Sequence, residues 1–442
     1  MARPLRWVVV VGVAIGVAAL IGAFKLLSEG PNERVVVQPG QVLGRFKDLR
    51  GVNCGPWSPR GWDRALTLDL SSHYAKLGVK VIRFHDLWVV DELDTIFPNP
   101  DADPGDPRSY NFTALDRHVE AALKLADILI LRIGYDWNDP PKNKPHVSFD
   151  KLAEVAKHIV LHYTKGWANG YNYKNIWFEI WNEPDIDWFW NLSETEFFEL
   201  YEKVARAIKE ANPDAVVGGP GIAWNVGFLD RFLAYTSSRG VPIDFVSWHI
   251  YTKNPVEVAE RARAVRRAME RHGYGALPSV LTEWNFAHQE GEPWEIFRSS
   301  QAAAFQAAAL ILMEDAPVDI ATLYRGDAWM WGGLFHSDGR PGKPYYVWLA
   351  YRELVEDSVR VAVVVERGLL YAMAGLKRDG SLRLLVVNYG PAQVRYEIAA
   401  EGYRVARVQA IDARRDLEDL ECRGSICTIE PYSVQLLTLE KG

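Results

Sequence analysis

A chain of 442 residues, 48% of them apolar, can bury one large core and a smaller second one. A net charge of −7 without any basic cluster excludes a nucleic-acid partner. Three cysteines, none in a Cys/His spacing that suits zinc, exclude a zinc-held domain.

At the amino terminus, Arg3 and Arg6 precede an apolar run, Trp7–Leu27, that carries no charge until Lys25. Its length suits a bilayer span, and the two arginines place the amino terminus in the cytoplasm. Residues 1–32 are therefore expected to be a transmembrane anchor with a short tether, Ser28–Asn32. The rest of the chain would then sit outside the cell, held on its membrane as a single-pass protein. The rival is a cleaved signal peptide and a secreted product, although the run is long for one and no A-x-A site follows it cleanly.

Val35–Val42 reads as a strand outside the main domain, and it is expected to pair with the carboxyl-terminal one. From there a strand–loop–helix unit repeats. Strands are predicted at Leu49–Cys54, Val79–His85, Ile128–Ile133, Asn175–Ile180, Ala215–Gly219, Phe245–Ile250, Ser279–Thr282 and Ile320–Tyr324. Their short runs of β-branched, aliphatic and aromatic residues suit strands buried on both faces. The intervening helices are predicted at Leu66–Leu77, Phe112–Leu125, Phe149–Tyr163, Ser193–Ala211, Gly227–Ser237, Val256–Arg271, Ile296–Glu314 and Pro344–Leu354. Ser193 and Glu196 have the spacing of a capping box. Eight such units predict an α/β fold, a (β/α)8 TIM barrel over residues 33–357. A doubly wound open sheet is the rival, but no G-x-G-x-x-G opens the first helix. Beyond residue 358 short strands alternate with turn signals such as Asp379-Gly380, which predicts a small all-β, sandwich-like accessory domain over 358–442. There, Cys422 and Cys427 are close enough to form a disulfide, which an outside location permits, and Cys54 is left as a buried free thiol.

In a parallel barrel, chemistry is built at the carboxyl ends of the strands. The fourth strand ends in Trp181-Asn182-Glu183-Pro184, where Pro184 cannot continue a ladder and pushes Glu183 toward an extended backbone. The seventh ends in Glu283-Trp284-Asn285. A lone strand-end glutamate is as readily an ion-pair partner or a helix cap. Two of them are the minimum equipment for glycoside hydrolysis. The same mouth collects Arg83, His85 and Asp86 from the second strand, and His249 and Tyr251 from the sixth. Trp329 and Trp331 follow the eighth. A nucleophile must be ionised, which Arg83 and Tyr251 favour for Glu283. An acid must hold its proton, which calls for a less polar site at Glu183. Asn182 is placed to donate to a sugar 2-hydroxyl. His85, Arg83, His249, Tyr251, Trp284, Trp329 and Trp331 are the other candidate substrate contacts. For each histidine the alternative is a satisfied, neutral barrel residue, and for Arg83 a purely structural partner of Glu283.

WNEP on the fourth strand with TEW on the seventh resembles the clan A glycoside hydrolases. RFHD after the second strand, WHIY after the sixth and Gly333-Leu334-Phe335-His336-Ser337-Asp338-Gly339 look like family 39, the β-xylosidase and α-L-iduronidase family. The resemblance implies a retaining double displacement on an oligo- or polysaccharide, with Glu183 as acid/base and Glu283 as nucleophile. It implies no metal and no organic cofactor. An endo-acting clan A glycanase, cellulase- or mannanase-like, is the alternative enzyme, and a catalytically inactive carbohydrate-binding surface protein is the alternative class. Oligomeric state is not legible in the sequence.

Overall fold

The computed structural model describes residues 30–60 and 63–442. The expected anchor, Trp7–Leu27, lies outside the described residues. Among the residues described, no helix is long and apolar enough to cross a membrane.

Eight parallel strands close into a barrel in chain order. They are Gly51–Asn53, Val81–Phe84, Ile128–Ile133, Ile176–Ile180, Val216–Ile222, Phe245–Thr252, Ser279–Phe286 and Ile320–Leu323, and the last pairs with the first. Most of their side chains are buried, as strands sandwiched between a barrel interior and a helix layer must be. The helices pack outside. Glu194–Ala211 carries the reciprocal Ser193–Glu196 capping box.

Two predicted helices differ from those found. Leu66–Leu77 begins only at Ser71; residues Asp63–Asp69 form a strand that pairs with Trp57–Arg60 in a hairpin over the first loop. The Asp69 carboxylate accepts the Ser71 N–H, which starts the helix after the strand. Ile296–Glu314 is split, because Ser299 caps a new helix, Ser300–Glu314, behind a short 3-10 turn at Trp294–Arg298.

The remaining strands form one nine-stranded sheet. Glu33–Gly44 lies inside it, antiparallel to Ser358–Val365 and parallel to Val394–Ala400. One face encloses a core of its own that includes Val35, Leu384, Tyr396 and Leu437. The other lays Leu385, Val387 and Leu436 into the barrel's core. Helix Ser300–Glu314 is covered on nearly all sides, which explains its Ala-rich, apolar circumference. Cys422 and Cys427 are disulfide-bonded, and Cys54 is buried and free.

The sheet runs alongside the barrel. At the mouth end, Tyr389 donates to the Lys253 carbonyl beyond the sixth strand, and Lys343 to the Arg415 carbonyl. At the opposite end, Arg360 pairs with Asp315 below the helix layer. Register then places Glu33 and Val365 level with the mouth, and Gly44 at the far end.

Candidate active site

Arg83 is the hub of the site. It rises from the second strand with no accessible surface, in a barrel interior that could not hold a bare cation. Its Nε donates to Glu179 at 2.6 Å. Its Nη1 donates to Glu283 at 2.7 Å and to Asn53 at 3.0 Å, and its Nη2 to Asn182 at 2.8 Å. Burial alone would lower its pKa, but the Glu179 and Glu283 carboxylates overcome that and hold it above its ordinary value. Sequence reasoning missed two members of this network, Asn53 and Glu179; Glu179 is the one the sequence could have shown. The signal was present: a single charge inside the apolar strand Ile176–Ile180, which no buried strand carries without a partner.

The two strand-end glutamates meet across the mouth. One oxygen of Glu183, one of Glu283 and a nitrogen of His249 all lie within 4.8 Å of one another. Glu283 accepts Arg83 on one oxygen and the Tyr251 hydroxyl on the other. Glu183 shares a 2.8 Å hydrogen bond with His249 Nδ1, whose Nε2 lies 3.1 Å from Thr282 Oγ1. Burial holds the His249 and His85 imidazoles neutral, with nearby arginines adding to the effect.

The two carboxyls are not equivalent. Burial pushes Glu183 well above the usual range, and the Glu283 and Asp185 carboxylates push it further. Burial also raises Glu283, but the Arg83 cation and the Tyr251 hydroxyl pull it back. Glu183 is thus the better proton holder and Glu283 the better anion.

Asn182 presents a donor. Its Oδ1 is taken by Arg83, which fixes the amide so that its buried Nδ2 has no protein partner. Side chains alternate along a strand, so Asn182 and Glu183 would ordinarily point to opposite faces. Left-handed backbone at Trp181 (φ 72°) and Glu183 (φ 43°) breaks that alternation at the strand's end.

His85 Nε2 lies 3.6 Å from Glu283, and its Nδ1 is buried without a partner. Tyr251 is half-buried, and Trp331 stands 5.0 Å from its ring and 5.3 Å from that of Tyr324. Trp329 is half-buried against Trp88, ring centroids 4.1 Å apart. Three expected sugar contacts need correction. Arg83, His249 and Trp284 have no accessible surface; every side-chain nitrogen of Arg83 and His249 already has a protein partner and Trp284 lies in the core, so none of them is placed to meet a ligand. Arg83 and His249 reach the site only through the carboxylates they hold. Trp284 follows the inward-facing Glu283, and strand alternation sends it outward into the core beneath the helices.

Among the described residues, two groups could bring three ligands to a cation: Glu183 with His249 and Glu283, and His85 with Asp86 and Asp136. Both oxygens of Glu283, Asp86 and Asp136 already accept N–H or O–H donors. This is a site built from hydrogen-bonded carboxyls.

Comparison with known proteins agrees with this geometry. The family model described as "Glycosyl hydrolases family 39" matches residues 47–324. A β-xylosidase of Caldicellulosiruptor saccharolyticus is 27% identical over 301 residues, 61% of this chain and 58% of that protein. Human α-L-iduronidase is 24% identical over 230 residues, 48% of this chain and 33% of that protein. The chain thus matches little more than half the length of that xylosidase and about half of one from Geobacillus stearothermophilus. Among solved structures, a glucosidase from Croceicoccus marinus superposes with a TM-score of 0.76 at 24% identity. That match covers 93% of this chain and 99% of that one. A β-xylosidase from Caulobacter crescentus gives 0.72 at 18% identity, covering 92% and 99%. These likenesses show the fold. The family match, which runs from before the first barrel strand to just past the eighth, shows that the chain belongs to glycosyl hydrolases family 39.

Proposed function

We propose that the protein is an exo-acting, retaining β-glycosidase of β-xylosidase type, with Glu283 as nucleophile and Glu183 as acid/base. The observation that carries this is the carboxyl pair, whose nearest oxygens lie within 4.8 Å. Retaining enzymes hold the two carboxyls roughly 5–5.5 Å apart, and inverting ones leave room for a water. Glu283, held ionised by Arg83 and Tyr251, attacks the anomeric carbon. Glu183, held protonated by burial, gives its proton to the leaving oxygen. Water then enters, Glu183 takes a proton from it, and the sugar leaves Glu283 with its configuration retained. The free Nδ2 of Asn182 is the donor for the sugar 2-hydroxyl.

A neutral sugar fits better than a uronic acid. Lys253, on the loop after the sixth strand, pairs with Glu292, and Arg325, after the eighth, is buried in a fork with Asp327 at 2.9 and 2.7 Å, so neither is free to meet a sugar carboxylate. We read the segment after the second strand, which folds against the third loop, as a wall on one side of the mouth. There Glu92 is buried and accepts from the Asp136 N–H, Asn138 and Lys142 on the third loop. A closed side suits removal of one terminal sugar. The apolar run Trp7–Leu27 belongs to the same proposal, as the anchor that holds the enzyme on the outer face of a membrane.

The test is a panel of nitrophenyl glycosides with the product anomer followed by NMR. Cleavage of a β-xyloside with retention supports the reading. An inverted product overturns the double displacement, and silence from folded protein overturns the exo-glycosidase.

A further inference from the structure

The chain enters the described fold level with the barrel mouth. Glu33 begins the strand and lies opposite Tyr396, with Val35 opposite Val365, and the same end of the sheet reaches Lys253 on the sixth-strand loop through Tyr389. Between the apolar run and that point lie only residues 28–32. Fully extended, five residues span at most about 17 Å.

The surface on that side is unlike the rest. Among the described residues, the three most exposed tryptophans all stand on loops at the mouth. Trp137, 57% exposed, follows the third strand; Trp224, 64%, follows the fifth; and Trp294, 41%, follows the seventh. Val89, Val256 and Leu369 are exposed on the same side. Val42 and Leu43 lie at the opposite end, and Val364 on the flank of the sheet. Loops two strands apart are a quarter-turn apart in an eight-stranded barrel, so the three indoles surround the mouth on three sides. A sugar chain lying in one groove needs aromatics along a line. A ring of them suits a plane, and indoles favour the boundary between lipid and water.

We propose that the barrel mouth faces a lipid bilayer, with Trp137, Trp224 and Trp294 at its interface, and that the natural substrate is a glycoconjugate borne on that membrane. This rests on the anchor proposed above. The tether is short, its exit is on the mouth side, and the rim that meets the membrane is the part of the surface richest in exposed indole. The substrate then needs its sugar at the headgroup level and its aglycone in the lipid.

The test uses the full chain reconstituted into phosphatidylcholine vesicles with and without acyl-brominated lipid. Tryptophan fluorescence is compared between the wild type and the W224A/W294A variant. The brominated lipid should quench a fraction of the wild-type signal that the variant loses, while quenching of Trp7 persists in both. Hydrolysis of dodecyl β-xyloside held in the same vesicles should fall in the variant more than hydrolysis of soluble nitrophenyl β-xyloside. Equal quenching of the two proteins, with both resistant to alkaline carbonate, overturns the docked mouth and leaves the anchor standing. Release by carbonate overturns the anchor and the proposal together. Unchanged quenching with lost turnover of a soluble xylo-oligosaccharide makes the rim tryptophans sugar platforms and overturns the proposal.

Discussion

The orientation of Asn182 makes a quantitative prediction. Its Oδ1 is committed to Arg83 at 2.8 Å, and its Nδ2 is buried with no protein partner. An amide so held loses little by waiting, and gains when the sugar 2-hydroxyl accepts from it as charge develops at the anomeric carbon. Asn182→Ala removes that bond and also leaves one Arg83 N–H unmatched. A hydrogen bond to a charged or charge-developing group contributes about 1.5–3 kcal/mol. At about 3 kcal/mol the loss is roughly 150-fold in kcat/KM. The assay is a cycle: wild type and N182A, each on nitrophenyl β-xyloside and on its 2-deoxy counterpart. The substitution should cost the full factor on the hydroxyl-bearing sugar, in kcat more than in KM, and only a few-fold on the deoxy sugar. An equal loss on both substrates would refute the reasoning, because the amide would then be acting through Arg83 alone.

Other outcomes follow from the carboxyl pair. Glu283→Gln should abolish turnover of every glycoside, and a variant that kept most of its rate would remove Glu283 as nucleophile. Glu183→Ala should slow poor leaving groups by roughly 10²–10⁴-fold while sparing activated aryl glycosides, with added azide yielding a glycosyl azide of retained configuration. No azide product would count against its role. The pH profile of kcat/KM should be a bell. Its acid limb follows protonation of Glu283 and its alkaline limb deprotonation of Glu183, both carboxyls being raised by burial. Stability should depend on pH through Glu183 as well. Its folded pKa is raised, so the folded state binds the extra proton and stability falls as pH rises from the ordinary Glu value through the folded one. Glu183→Gln should therefore gain Tm relative to the wild type across that window, and parallel melting curves at all pH values would contradict it.

Most of the barrel was legible because a parallel strand buried on both faces is a short, predominantly apolar run, as Ile128–Ile133 and Phe245–Ile250 are despite Arg132, Ser247 and His249. The hairpin Trp57–Arg60 with Asp63–Asp69 was not legible, because its first strand carries the Ser and Pro of a turn and stands between Gly55 and Gly61 in the sequence. In the site, residue types were readable but directions were not. Glu283 and Trp284 are neighbours in one strand, so only one of them can face the mouth. Asn182 and Glu183 escape that rule through two left-handed residues, and nothing in their identity announces it. Arg83 was recognisable as a partner of Glu283, and the lone charge of Glu179 called for a partner, but that Arg83 serves both becomes evident only when the barrel closes around them.

The strand Glu33–Gly44 sits between Ser358–Val365 and Val394–Ala400, so the accessory sheet is knitted from the two ends of the described chain. During synthesis that sheet cannot be completed until the whole barrel has been made. Its pairing Val35 with Val365 closes one of the longest loops in the molecule, and such contacts form late. Residues 358–442 expressed alone would lack an interior strand, leaving two raw edges open to pairing with other copies. The accessory domain is therefore not a detachable module. It works as a clasp that records, by closing, that the barrel between its two halves is finished.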